Sequence, residues 1–207
     1  NLADGPNIVK LVDLVRDSAT GIYSFVSEWV DFYDWRSLYM SFNIDDIRLY
    51  MYKLLTALNY SHSNGIMHRD IKPQNIAIDK ERKKVRLLDW GLADFYHPKQ
   101  KYNSHVATRI FKSPELLINY PYYDYSMDMW STGLTFSLMM FKKFILECGE
   151  NDADQLLKVA DLVGGQGILN YADSLHVELD DETRFDLRKR KGTGMEAYAK
   201  KYGKKNC

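Results

Sequence analysis

The amino-acid sequence predicts an α+β fold that is mainly helical, with its β structure confined to short hairpins. Three observations carry this. Two β-rich runs, 8–15 and 23–30, flank the turn sequence RDSATG. Two shorter apolar runs, 76–78 and 85–88, flank the polar turn DKERKK. Between and beyond the hairpins, apolar residues recur at helical spacing.

The helix expected after residue 43 has the clearest signals. Asn43 is placed to cap it, and Asp45 and Asp46 fall in the first turn, where the helix dipole favours carboxylates. Ile47, Tyr50, Met51, Leu54, Leu58 and Ser61 line one face, and Asn64-Gly65 supplies a left-handed stop. A short strand is expected at Ile66-Met67. Pro114 in SPELL opens another helix. An apolar helix is expected over 125–140 and an amphipathic one over 152–163. GGQG at 164–167 reads as a turn, and the last 25 residues read as an exposed basic helix or tail. The stretch 92–112 is too long for a plain connector, and such loops are usually functional or disordered.

Composition excludes several classes. Of 207 residues, 45% are apolar and 27% charged, as in an ordinary folded protein. Lys+Arg and Asp+Glu both number 28, which argues against a polycation built for nucleic acid. The charge is uneven: from Glu182 onward there are nine Lys/Arg against three Asp/Glu. No stretch approaches the ~18 apolar residues of a membrane span, so no membrane partner is expected. Two cysteines, Cys148 and Cys207, have no metal-ligand spacing and fit a reducing compartment. The chain begins at Asn1 with no leader to read.

The chemistry concentrates in three blocks: HRDIKPQN from His68 to Asn75, DWG from Asp89 to Gly91, and SPE from Ser113 to Glu115. Asn75 and Asp89, at the ends of neighbouring strands, could hold a hard divalent cation through oxygen, as Mg²⁺ requires. Asp70 could accept a proton from an incoming hydroxyl, and Lys72 could neutralise a phosphate. Base, metal ligands and cation are the parts of a phosphoryl-transfer site. Taken singly, the same Asp and Asn residues could be turn formers; their joint order and spacing favour chemistry.

HRDxKxxN, then Asp-aromatic-Gly, then Pro-Glu resembles the C-lobe signature of eukaryotic protein kinases. With Trp90 inside the second block, IMHRDIKPQN, LLDWGLADFYHP, YNSHVATRIFKSPELL and YDYSMDMWSTG are similar to the catalytic alpha subunits of casein kinase 2. The similarity runs from about residue 1 to 163 and fades through 164–182. It implies a protein-kinase-like fold: residues 1–30 a remnant of the N-lobe (β-hairpin and hinge), 31–181 a partial, mainly helical C-lobe, and 182–207 a basic tail.

The resemblance assigns roles. Asp70 is the catalytic base, Lys72 stabilises the transferred phosphoryl group, and Asn75 and Asp89 hold Mg²⁺. Glu28 and Val30 are hinge residues for the adenine edge, and Ala77 and Leu88 floor the nucleotide pocket. Asp128 orients the catalytic loop, under which His68 packs. Thr108 contacts Asp70 and Lys72. His105, Arg109 and Lys112 read an acidic side chain after the phosphorylated Ser/Thr, although a solvated basic face is an alternative. ATP or GTP would donate the phosphoryl group, acidic proteins would accept it, and a casein kinase 2 beta-type regulatory subunit is a possible partner. The implied location is cytoplasmic or nuclear.

The sequence also departs from the family pattern. It holds no GxGxxG and no VAIK-like strand lysine, which suggests a fragment or a shortened product. Glu115 has no evident arginine partner. Ser27 stands where the family has a bulky aromatic, Ala77 is smaller than usual, and His105 and Ser113 replace Arg and Gly. The run RKRK at 188–191 reads as a solvated face or a polyanion patch.

Overall fold

A computed structural model describes Leu2 and residues 4–31 and 33–202. Cys207 and the end of the tail lie outside the described residues. The chain forms β1 (Leu11–Arg16), β2 (Tyr23–Ser27), α1 (Trp35–Met40), α2 (Ile44–Ser63), β3 (Ile66–Met67), β4 (Ile76–Asp79), β5 (Lys84–Leu87), β6 (Asp94–Phe95), α3 (Pro114–Leu117), α4 (Ser126–Phe141), α5 (Asp152–Val163), α6 (Gly165–Ser174), α7 (Asp181–Arg188) and α8 (Gly194–Tyr202). The fold is α+β and mainly helical. Three separate two-stranded antiparallel sheets pair β1 with β2, β3 with β6 and β4 with β5.

The central helix α2 follows its sequence signals. Asn43 Oδ1 accepts from the Asp46 N–H at 2.9 Å, and Asp46 Oδ2 accepts from the Asn43 N–H at 3.2 Å. This reciprocal cap satisfies two donors that the first turn would otherwise leave unpaired. Ile47, Tyr50, Met51, Leu54, Leu58 and Ser61 are all buried. Gly65, at φ 77°, takes the left-handed stop. The buried face of α2 packs against Leu38, Tyr39 and Phe42 of the α1 region, Ile76, Ile78, Val85 and Leu87 of the β4–β5 hairpin, and Leu138 and Met139 of α4.

Several expectations change. Residues 8–10 are not part of β1. Ile8 is buried and bridges Leu87 in parallel, with the Val9 N–H donating to the Leu87 carbonyl at 3.1 Å. The β1–β2 hairpin is thereby stitched to β5, while every residue of its two strands is exposed. Residues 28–30 likewise leave the strand. Helix α1 is a further element, with a single local signal in Asp34, whose side chain accepts from the Ser37 N–H.

The C-terminal third is more ordered than a tail. GGQG is not only a turn: Gly165 and Gly167 lie inside α6. Helices α5, α6 and α7 bury Val159, Ala160, Ile168, Leu169, Ala172 and Leu187 in a second core. Leu187, inside the stretch read as a basic tail, is fully buried. Close approach explains the glycine at 165. A Cβ there would stand 1.8 Å from the Leu187 carbonyl oxygen, whereas one at Gly167 would meet nothing within 4 Å.

The two glycines therefore separate packing from helix propensity. Gly165→Ala should destabilise the protein by about 1–3 kcal/mol through overpacking. Gly167→Ala, at an exposed helical position, should stabilise it by up to about 1 kcal/mol. Urea unfolding of both variants checks the opposite signs.

Candidate active site

The site is built on one buried carboxylate. Asp128, in the first turn of α4, is fully buried. It accepts from the backbone N–H of His68 and of Arg69, each at 2.8 Å, and sits 2.9 Å from His62 Nε2 on α2. Arg69 is held at φ 66°, a conformation side chains seldom adopt. Its guanidinium donates to the Leu92 carbonyl and the Tyr123 hydroxyl and pairs with Asp94. Arg69 is thus a buried strut rather than a surface residue.

His68 is buried and neutral. The Asp70 N–H donates to Nδ1 at 3.2 Å, so Nε2 carries the proton and donates to the Leu88 carbonyl at 2.9 Å. Burial pushes its pKa down, against the pull of Asp128 and other acceptors nearby. Its role is to tie the loop to the end of β5.

Asp70, itself buried, is the hub of this loop. Its Oδ2 accepts from Lys72 Nζ at 2.6 Å and from Asn75 Nδ2 at 3.0 Å. Its Oδ1 accepts from the N–H and hydroxyl of Thr108, at 3.2 and 3.0 Å. Lys72 Nζ also reaches Thr108 Oγ1 at 3.0 Å. Burial acts to raise the Asp70 pKa, but the hydrogen bond and charge of Lys72, with Thr108 and Asn75, outweigh it and hold the carboxyl below its usual range. Asp70 is therefore ionised at neutral pH.

Asn75 and Asp89 adjoin through the β4–β5 register. Ile76 pairs with Leu87, and one step outward the Leu88 N–H donates to the Asn75 carbonyl at 2.8 Å. Asp89 follows at once, at φ 56° and exposed. Asn75 spends its NH₂ on the Asp70 carbonyl and carboxylate, which orients its amide so that the acceptor is the remaining group. An amide oxygen and a carboxylate are hard oxygen donors, and Mg²⁺ commonly binds through one or two such groups plus phosphate and water. The residues present fit that ion. Among the described residues, no group of three or more His, Cys, Asp and Glu forms a metal cage.

The nucleotide residues are placed as follows. Ala77 is buried and faces Arg86 across β4–β5. Arg86 and Lys84 both bond Glu28, at 2.5 and 2.8 Å. Burial acts to raise the Glu28 pKa; these two cations and the Lys10 N–H overcome it and bring it down to about 2. Glu28 thus clamps the segment after β2 over the Ala77 face. Val30 is buried beside the exposed Trp29. A cavity of about 730 Å³ opens next to Asp89, lined by Ile8, Leu11, Phe25, Ser27, Trp90 and Phe95 among others. It does not include Val30, Ala77 or Leu88.

The three basic residues do not form one open face. His105 is exposed, with its ring nitrogen on Asn103. Arg109 is partly exposed and sits 3.6 Å from Asp152. Lys112 is buried, and its Nζ lies 2.6 Å from Asp152 Oδ2. Asp152, His62 and Arg69 are the site neighbours that sequence reasoning missed; only the helix-start pattern NDAD marked Asp152 at all.

A family model described as the protein kinase domain matches residues 1–187. The chain belongs to the protein kinase family. No helix among the described residues is long and apolar enough to cross a membrane.

Glu115 of the SPE block carries a pH-dependent cost. It is buried, and burial pushes its pKa up from 4.5, against its own backbone and Ser113. A raised folded-state pKa gives stability that is present below the unfolded value and lost as pH rises through the folded one. Glu115→Gln should remove this loss, so parent and variant should match in urea unfolding near about pH 4 and diverge by about pH 8, with the variant the more stable.

Proposed function

We propose that the chain is a serine/threonine protein kinase catalytic subunit, similar to the casein kinase 2 alpha type, that transfers the γ-phosphoryl group of ATP or GTP to Ser/Thr in acidic sequences. One observation carries the reading: the Asp70 carboxylate is held jointly by Lys72, Asn75 and Thr108, with Asp89 adjoining at the end of the paired strand. Asp70 accepts the proton of the substrate hydroxyl. Lys72 is positioned to meet charge on the phosphoryl group, and Thr108 keeps the activation segment on the base. Mg²⁺, held by Asn75 and Asp89, would neutralise the nucleotide phosphates. Glu28 and Val30 with Ala77 and Leu88 are the nucleotide contacts of this reading. Of His105, Arg109 and Lys112, the substrate-reading residues of this proposal, Arg109 is the accessible charged contact, and Lys112 contributes its charge from beneath. Acidic proteins are the expected substrates, a beta-type regulatory subunit is a candidate partner, and the cytoplasm or nucleus the expected location.

A second reading is a kinase-derived module that binds nucleotide without transfer. The observation favouring it is the β1–β2 hairpin, exposed along both strands. A radiolabelled transfer assay on an acidic peptide separates the two. Under the enzyme reading Asp70→Asn should lower the rate by ~10²–10⁴. Transfer absent from the parent, with Mg-nucleotide still bound, selects the module.

Ser27 tests whether the cavity beside Asp89, which none of Glu28, Val30, Ala77 and Leu88 lines, takes part of the nucleotide. Its small side chain lines the cavity beside Asp89. Adenine analogues with a bulky ring substituent should compete for binding, and Ser27→Phe should weaken them about tenfold or more relative to ATP, as one steric clash of about 1.4 kcal/mol requires. Equal competition against both proteins refutes the pocket assignment.

A further inference from the structure

We propose that Asp152 is a specificity-determining residue: its carboxylate occupies the anion site formed by Arg109 and Lys112 and so lowers the preference for an acidic residue after the phosphorylated Ser/Thr. This rests on the acidic-substrate reading above and refines it.

The position of the cluster follows from Thr108, which bonds Asp70. Arg109 is the next residue and opens the short 3-10 turn Arg109–Phe111. A hydroxyl delivered to Asp70 therefore brings the following substrate side chain towards Arg109. Two cations there would attract a carboxylate. The chain already supplies one. Asp152 Oδ2 lies 2.6 Å from Lys112 Nζ and its Oδ1 3.6 Å from Arg109 Nε. Arg109 also donates to the Gly149 carbonyl at 3.1 Å, which holds it in place.

Asp152 is not spent on capping α5. That role belongs to Asn151, whose Oδ1 accepts from the Asp154 N–H at 2.9 Å. Asp152 is the first residue of a 12-residue helix, where the dipole favours an anion. Two cations and a helix start thus converge on one internal carboxylate. An incoming acidic side chain meets a net charge of one rather than two, and a like charge beside it. Lys112 has too little exposure to turn towards a ligand while Asp152 holds it; Arg109 is left as the charged contact.

The test uses two fluorescent peptides, identical except for Glu or Gln after the Ser. Their dissociation constants are measured by anisotropy on the parent, Asp152→Asn and Asp152→Asn/Arg109→Gln. Asn keeps an acceptor for Lys112 and removes the charge. The Gln/Glu ratio of dissociation constants should rise about three- to tenfold in Asp152→Asn and fall back in the double variant. A residue that merely balances buried Lys112 would change the melting temperature without moving that ratio. Should Asn lower the melting temperature, Asp152→Ser, equally suited to a first helical turn, repeats the measurement. If the parent already prefers Glu and the ratio is unchanged in both Asp152 variants, the proposal fails while the acidic-substrate reading stands. If neither the parent nor the variants distinguish the peptides, both fail.

Discussion

The site depends on where one buried negative charge is held. Asp128 has no exposure, yet it is matched by two backbone N–H groups and the ring of His62. A buried carboxylate without such partners would be costly; with them it binds three elements at one point: the start of α4, the end of α2 and the loop before Asp70. That attachment also offsets the positive φ of Arg69, a conformation worth of order 1–3 kcal/mol of strain. Asp70 is the residue after Arg69, so its direction is set from behind by Asp128 and from the front by Lys72, Asn75 and Thr108.

The β4–β5 hairpin does the second part of the positioning. Its apolar face, Ile76, Ile78, Val85 and Leu87, is locked against α2, while its other face carries Ala77 and Arg86. Register alone then brings Asn75 and Asp89 to the same end. The hairpin also receives the N-terminal segment through the Val9–Leu87 and Leu87–Asn7 hydrogen bonds and through Glu28. By contrast, β1 and β2 are bonded to each other and exposed throughout, and a lone two-stranded hairpin is marginal in water. The segment carrying Glu28 is therefore fixed to β4–β5 by its charge clamp, in addition to the Glu28–Lys10 backbone bond.

How much could be read from the residues differs between local and distant effects. Helix α2 was legible to its caps because Asn43, Asp46 and Gly65 act within one turn of their own positions. The strand at Ile66-Met67 and the helix over 152–163 were legible for the same reason. Of the site, the order of HRDIKPQN and DWG placed Asp70, Asn75 and Asp89 in one neighbourhood because short loops and strand register leave few alternatives. Helix α1 escaped notice because DWRSLYM is short and aromatic, without a repeating apolar face. Helix α7 was legible only as part of an exposed basic helix or tail, because six of the eight residues of DETRFDLR are polar around a single buried Leu187. Neither the pairing of Lys112 with Asp152, 40 residues away, nor that of Asp128 with His62 could be read, since both are set by helix packing.

Charge shows the same limit most sharply. Counted along the chain, the residues after 182 form a strongly basic stretch, and an arm of that kind would suit a polyanion. In space part of the excess is taken up by acids from elsewhere in the fold. Arg184 bonds Asp173, Arg190 bonds Asp161 through both carboxylate oxygens, and Lys189 bonds Asp186. Asp173 of α6 and Asp161 of α5 take up Arg184 and Arg190, Asp186 of α7 itself takes Lys189, and Leu187 anchors the segment between them. The same compensation operates at the site, where Asp152 faces Arg109 and Lys112. A cation's reach for a ligand is set by the carboxylates that packing has already placed against it, so the field at this kinase-type site follows from the fold of α5, and the run of basic letters in the activation segment does not determine it.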